Sequence, residues 1–311
     1  MTFAKMLSVS KDFILGVPRT KPEFDLPQEK VDSIYLEKSI DIDKLIWFGH
    51  SAFLLQLDGK NILLDPMLGE SPSPHPLVGP KRFNRELPIE IQQLPKIDAI
   101  IISHDHYDHL DYESIKLLKE KTAKFFVPLG VGKHLKSWGI NADDIKELNW
   151  WDETEFKDIQ LAFTPSRHFS GRGFSDGSSS MWGSWVIKGK TKNIYFSGDS
   201  GYGPHFKEIG DKYGPFDFAM MECGQYNENW LNIHMVPEET AKASIDLKTK
   251  VMMPIHWGAF ALSLHTWDDP IIRVTKKAKA LNLPITVPII GEVITLNKID
   301  LSVREWWKPK K

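Results

Sequence analysis

The sequence predicts an α/β fold made of two β-rich halves with helices on their outer sides. Three observations predict it. An apolar run, Ile97 to Ile102, reads as a buried strand. It runs directly into Ser103-His104-Asp105-His106-Tyr107-Asp108-His109, and a helical pattern with Ile115, Leu117 and Leu118 follows. The order of strands, polar strand-end loop and helix then returns in the second half, through loops carrying His168, Asp199 and His256. Open α/β sheets place ligands beyond the carboxyl ends of their strands, so these loops are where chemistry is expected.

Composition narrows the function classes. The chain has 311 residues and a formal charge of −2, which gives no electrostatic case for nucleic acid as a partner. Its single cysteine, Cys223, can form no internal disulfide; it suits a reducing, cytoplasmic setting and reads as a buried free thiol rather than a nucleophile. No apolar run is long enough for a transmembrane helix. Residues Phe3 to Val17 are interrupted by Lys5, Lys11 and Asp12 and lack a cleavage site, so a plain N-terminal helix or loose tail is expected, with a surface-lying amphipathic segment as the alternative.

In chain order, residues 1–43 form a lead-in broken by Pro18, Pro22 and Pro27, and residues 44–311 form the functional domain. Leu45 to Phe48 and Ala52 to Leu57 read as strands. Asp58-Gly59-Lys60 is a hairpin turn, because Asp-Gly suits positive φ, and Asn61 to Leu64 returns, ending in Asp65-Pro66. That acid stands where it could reach the histidine loop. Met67 to Pro95 is a long proline-rich loop carrying Lys81, Arg82 and Arg85, either a solvated basic loop or an anion-holding lip. Ala123 to Val127 is a strand and Gly132 to Trp138 a short helix. Paired strands flank Lys157-Asp158, and the loop with His168 follows. The run Gly173 to Ser180 is expected to be flexible. Trp182 to Ile187, Asn193 to Phe196, Phe216 to Met221 and Val251 to Ile255 are strands. Helices open at Pro237, backed by Glu238 and Glu239, and at Asp269-Pro270. Ile289-Ile290 and Val293-Ile294 are expected to pair around Gly291-Glu292. The closing Trp306-Trp307-Lys308-Pro309-Lys310-Lys311 reads as a solvated terminus, with contact to a lipid interface as the alternative.

The strand-end groups His104, His106, Asp108, His109, His168, Asp199 and His256 supply five imidazoles and two carboxylates. With 11 histidines in the chain, three within six positions call for a reason, and a metal gives one. The donors are nitrogen and oxygen, which suit zinc and also iron or manganese. Two cations sharing Asp199 would lower the pKa of water from ~15.7 toward ~7 and explain hydrolysis without a serine or cysteine nucleophile.

His104-Asp105-His106-Tyr107-Asp108-His109 resembles the H-x-H-x-D-H signature of the metallo-β-lactamase superfamily, and His168, Asp199 and His256 fall in that family's order. Within it the chain resembles the N-acylphosphatidylethanolamine-hydrolysing phospholipase D group. The similarity is carried by Trp47-Phe48-Gly49-His50-Ser51, Leu64-Asp65-Pro66, Gly79-Pro80-Lys81-Arg82, Thr164 to Gly171, His234 to Glu239 and Ile255 to Phe260. The resemblance implies a four-layer αββα sandwich and two zinc ions. The first would be held by His104, His106 and His168, the second by Asp108, His109 and His256, with Asp199 bridging. It implies that Asp108 and His234 serve catalysis, His234 by contacting a substrate phosphate or leaving oxygen, and that Asp65 orients a ligand histidine. His50 would stand behind the ligands or be a satisfied core residue. Arg82, Trp257 and Gln225 are the expected substrate contacts. Mammalian members have a longer N-terminal extension, and Glu222 to Leu231 departs from their pattern; this run is expected to line the pocket.

The expected activity is a metal-dependent phosphodiesterase of the phospholipase D type, acting on a small molecule or a phospholipid. A peripheral touch on the inner membrane surface and a homo-oligomer are further expectations. A lactonase or amidase of the same fold is the alternative. A diiron redox role is disfavoured because those relatives carry Glu where His106 stands, and a purely binding role would need broken ligands.

Overall fold

The computed structural model describes residues 17–75, 79–173 and 176–309; the segment Phe3 to Gly16 and the final Lys310-Lys311 lie outside them. Two sheets form the centre. The first runs in the order β13 (Val293–Thr295), β1 (Lys44–Trp47), β2 (Phe53–Leu57), β3 (Lys60–Leu64), β4 (Ile97–Ile101), β5 (Thr122–Pro128), β6 (Ile145–Leu148). The second runs β12 (Met252–Ile255), β11 (Phe218–Glu222), β10 (Asn193–Phe196), β9 (Ser184–Lys188), β8 (Ile159–Thr164), β7 (Glu153–Phe156). Each sheet joins an antiparallel meander to a parallel stretch: β3, β4, β5 and β6 are parallel in one, β10, β11 and β12 in the other.

Period-2 alternation explains the layering. Leu45 and Trp47 of β1, Phe53 and Leu55 of β2, Ile62 and Leu64 of β3, and Ala99 and Ile101 of β4 join one core, shared with Phe163, Trp185, Phe196 and Met220 of the second sheet. The intervening Ile46, Leu54, Leu63 and Ile100 face a second core with Leu110, Ile115 and Leu118 around α2 (Tyr112–Leu118) and Leu135 of α3 (Gly132–Ser137). Behind the second sheet pack α4 (His205–Tyr213), α5 (Pro237–Asp246) and α6 (Asp269–Ala280), which bury Phe206, Ile209, Ala241, Ile271 and Val274. The result is helices, sheet, sheet, helices. Asp58 and Gly59 both take positive φ, the geometry the Asp-Gly turn needs.

Several elements differ from the sequence reading. Ile289-Ile290 and Val293-Ile294 do not pair with each other: Val293 and Ile294 pair with Ile46 and Leu45 of β1, and Ile290 bridges Gln28. The lead-in contains α1 (Ser33–Lys38), started by the Asp32 side chain accepting from the Ile34 amide. In the described part of the run 173–180, Asp176 accepts from the amides of Arg172 and Gly173, and the Ser180 hydroxyl donates to Asp105, so it is tied down rather than free. The tail is not a solvated terminus. Trp307 is 1 % exposed, and Trp306 stacks on Trp257 with centroids 5.1 Å apart, beside Trp47. Lys and Pro neighbours masked one core indole, Trp307, and a second, Trp306, packed against the core.

Candidate metal centre

The candidate residues arrive from the ends of strands in both sheets. Asp65 follows β3, the histidine loop follows β4, His168 follows β8, Asp199 follows β10 and His256 follows β12. Backbone strain concentrates here. His50, Asp65 and His256 hold φ of 55°, 36° and 67°, in the left-handed region that side chains disfavour, and such strain persists where the surrounding structure over-determines it. Gly224 must be glycine, since a Cβ would meet the His256 carbonyl oxygen at 2.0 Å.

Two donor groups form. His104 Nε2 and His168 Nε2 lie 2.9 and 3.2 Å from His106 Nδ1, and each lies 3.7 Å from Asp199 Oδ2. His109 Nε2 and His256 Nε2 lie 3.4 and 3.2 Å from Asp108 Oδ2, and 3.2 and 3.3 Å from Asp199 Oδ2. One oxygen of Asp199 therefore touches both groups. His50 enters the second group, with Nε2 2.9 Å from Asp108 Oδ2. Burial, helped by the neighbouring His256 ring, pulls His50 down to about 3, so it is neutral at pH 7.

Hydrogen bonding at the far nitrogens fixes what the near ones present. The Asp65 carboxylate accepts from His109 Nδ1 at 2.6 Å, from the Ser103 amide at 2.7 Å and from the Ser103 hydroxyl at 2.5 Å. The Ser103 hydroxyl proton is thus committed, so at 2.9 Å it accepts from His104 Nδ1. His168 Nδ1 donates to the Ile233 carbonyl at 2.9 Å. In the His104 and His168 rings Nε2 is left as a bare lone pair, and in all three rings Nε2 is turned toward the shared Asp199 carboxylate. His109 Nε2 and Asp199 Oδ1 are buried with no protein partner. Converging lone pairs and carboxylates are unstable without positive charge between them. Burial holds His104 and His168 well below their ordinary range. Burial would lower His109 too, but Asp199, Asp108 and Asp65 outweigh it and drive His109 well above. The cluster demands cations, and its donor set fits a pair of divalent ones.

Residues that the sequence reading passed over hold the loops. Asp105 accepts from the Gly171 amide at 2.7 Å and the Ser180 hydroxyl at 2.7 Å, locking the histidine loop to the His168 loop. Arg172 adds bonds to the carbonyls of Asp105 and Leu110 and lies over the Tyr107 ring. Glu222 ends β11 fully buried; it accepts the Ser200 amide at 2.6 Å and bonds His234 Nδ1. Burial pushes Glu222 upward against the pull of His234. A charged residue closing the apolar strand FAMME was the available signal.

The three expected substrate contacts each bond the protein's own backbone. Arg82 donates to the carbonyls of Gly69, Phe48 and Met67, so its guanidinium staples the long loop to the sheet instead of forming an anion lip. Trp257 is 1 % exposed among the indoles, with Nε1 on Pro254 O. Gln225 is buried, with its amide bound to Phe260 O and accepting from the Leu262 amide. All three are taken up by the protein's own backbone. Phe169, half-exposed and edge-on to the His106 ring at 4.5 Å, is the apolar surface beside the cluster.

Comparisons with known proteins agree with this geometry. Residues 60–257 match the family model described as the beta-lactamase superfamily domain. An uncharacterized protein of Mycobacterium tuberculosis is 40% identical over 84% of this chain and 71% of its own length. The N-acyl-phosphatidylethanolamine-hydrolyzing phospholipase D 1 of Caenorhabditis elegans is 36% identical over 70% of this chain and 64% of its own length. Among solved structures, an isothiocyanate hydrolase from Delia radicum gut bacteria aligns with a TM-score of 0.63 at 23% identity, covering 81% of this chain and 98% of that one, a likeness of fold. With the sandwich, the strand-end donor clusters and these matches together, the chain belongs to the metallo-β-lactamase superfamily of hydrolases.

Proposed function

We propose that this hydrolase is a phosphodiesterase of the phospholipase D type, cleaving an N-acylated phosphatidylethanolamine or a related diester and releasing the alcohol. The observation that carries the reading is the pair of donor groups sharing Asp199 Oδ2. The relatives of that name in Caenorhabditis elegans and Saccharomyces cerevisiae, at 36% and 34% identity, support the substrate class. His104, His106 and His168 would hold one cation, Asp108, His109 and His256 the other, and Asp199 both. Zinc suits these donors, with iron or manganese as alternatives. Such a pair supplies Lewis acidity at phosphoryl oxygens and a nucleophile at neutral pH. The chain's own part is to aim the donors. Asp65, Ser103 and the Ile233 carbonyl take the far protons of His109, His104 and His168, and Asp105 and Arg172 clamp the two loops together. No helix among the described residues is long and apolar enough to cross a membrane, so a lipid substrate would be met at the bilayer surface.

The test is turnover of bis-p-nitrophenyl phosphate, N-acyl phospholipids, lactones and amides by metal-replete protein, with His104→Ala as control. Phosphodiester cleavage lost in His104→Ala supports the reading. Turnover confined to lactones or amides replaces it with the alternative hydrolase.

A further inference from the structure

We propose that the cavity on the outer side of the histidine loop, beside α2 and α3, is a second ligand site, built for a small zwitterion that carries a carboxylate and an ammonium on an apolar body, as an α-amino acid does. The cavity has a volume of about 470 Å³. None of its lining residues belongs to the donor groups of the metal centre. Tyr107 marks the division: it lines this cavity, while His106 and Asp108 on either side of it supply donor atoms to the cluster. The assignment is therefore independent of the phosphodiesterase reading.

Arg172 is the anchor. Its Nη1 donates to the Asp105 carbonyl at 2.7 Å and to the Leu110 carbonyl at 2.6 Å. Its guanidinium lies 3.9 Å from the centre of the Tyr107 ring and 5.4 Å from that of Trp138. The Tyr107 hydroxyl in turn donates to the Arg172 carbonyl at 2.8 Å. The guanidinium is thus fixed before any ligand arrives, and little freedom is lost on binding. Its Nε and Nη2 have no protein partner among the described residues, and neither is a buried unpaired atom, so this edge opens on the cavity that Arg172 lines. Two parallel N–H donors on one planar edge match the two oxygens of a carboxylate. The opposite charge stands close by. Asp111 commits Oδ2 to the Ser114 amide and hydroxyl at 2.9 and 2.5 Å, while its Oδ1 has no partner and is not a buried orphan. Glu113 is exposed and lines the same cavity. Neither acid bonds the guanidinium, whose hydrogen bonds all go to backbone, so the two signs of charge face one space without pairing. Tyr112 and Trp138, edge to face at 5.2 Å, add an apolar wall. A simple anion meets two acids here and a simple amine meets Arg172, so the pattern selects a ligand that carries both charges.

Calorimetric titration of zinc-loaded protein tests the site. L-Phenylalanine is the probe. Its single-charge analogues are 3-phenylpropanoate, which lacks the ammonium, and 2-phenylethylamine, which lacks the carboxylate. Wild type should bind one L-phenylalanine per chain with Kd at or below ~1 mM, and each analogue at least ~10-fold more weakly. Asp111→Asn keeps the helix cap, since asparagine caps as well as aspartate. Combined with Glu113→Gln, it should abolish the preference for L-phenylalanine over 3-phenylpropanoate. Tyr112 is 41 % exposed, so Tyr112→Ala should leave the fold intact while weakening L-phenylalanine by ~3–10-fold. Absence of saturable binding to wild type, or equal affinity for L-phenylalanine and both analogues, would overturn the assignment. So would an affinity that Tyr112→Ala and the double variant both leave unchanged, which would place the probe elsewhere, as on the metal ions.

Discussion

Removing the Trp307 indole should destabilise the fold far more than trimming a chain terminus ordinarily does. Trp307 is 1 % exposed and meets Trp257 at 6.2 Å and Trp306 at 5.9 Å, edge-on to both. Trp306 in turn lies 6.4 Å from Trp47, and Trp257 lies 5.5 Å from Trp47. A buried aromatic side chain removes ~150–250 Å² from water. At ~25 cal/mol per Å² this gives about 4–6 kcal/mol. Truncations of buried Trp to Ala cost ~3–5 kcal/mol, because neighbours relax only in part. Trp307 Nε1 has no partner, so no hydrogen bond is lost to raise the figure. Against a total stability of ~5–15 kcal/mol, the expected loss is a large fraction. Urea unfolding of Trp307→Ala, followed by far-UV circular dichroism, should show a midpoint lowered by an amount equivalent to ~3–5 kcal/mol at unchanged slope. Trp307→Phe should recover part of it. A loss under ~1 kcal/mol, the level of an ordinary surface substitution, would mean that the tail is solvated after all.

Other expectations follow from single contacts. Asp65→Asn leaves one oxygen for three donors and invites His109 to present Nε2–H to the cluster; affinity for the second equivalent of metal should fall ~10–100-fold in calorimetric titration, and unchanged affinity would remove Asp65 from its assigned role. Arg82→Ala orphans three backbone carbonyls and should cost ~1–3 kcal/mol of stability while leaving KM unchanged; a raised KM at wild-type stability would restore the anion-lip reading. Cys223 is fully buried, and burial, aided by Glu222, pushes its thiol well above the usual range. Iodoacetamide at pH 8 should therefore label it only after denaturation; rapid labelling of native protein would contradict that burial.

Strong local patterns were legible in the sequence. Apolar runs such as Ile97 to Ile102 marked the central strands, and Asp58-Gly59 marked the first hairpin, because there the local signal and the tertiary demand coincide. The strand-end histidines and acids were legible for the same reason: a strand end fixes a side chain's place before the fold is known. The misses share a cause. β6 carries only Ile145 and Leu148 as apolar residues, at the sheet edge, and α4 presents little beyond Phe206 and Ile209, so neither announces itself. Arg82, Gln225 and Trp257 read as ligand contacts because their chemistry permits it, but Arg82 and Gln225 are bonded to backbone brought from distant parts of the chain, and Trp257 is buried among indoles with its Nε1 on Pro254 O. Glu222 and His234, twelve residues apart in sequence, meet only after β11 and α5 pack.

The central claim is that the strand-end donors bind two cations through one shared carboxylate oxygen. Metal content per chain, measured after stripping with chelator and reloading with zinc, tests it directly. Wild type should take up two equivalents, His104→Ala and His256→Ala about one each, and Asp199→Ala less than either. Wild-type protein that binds no zinc above a nonspecific background, or an Asp199→Ala variant that still binds two, would contradict the account.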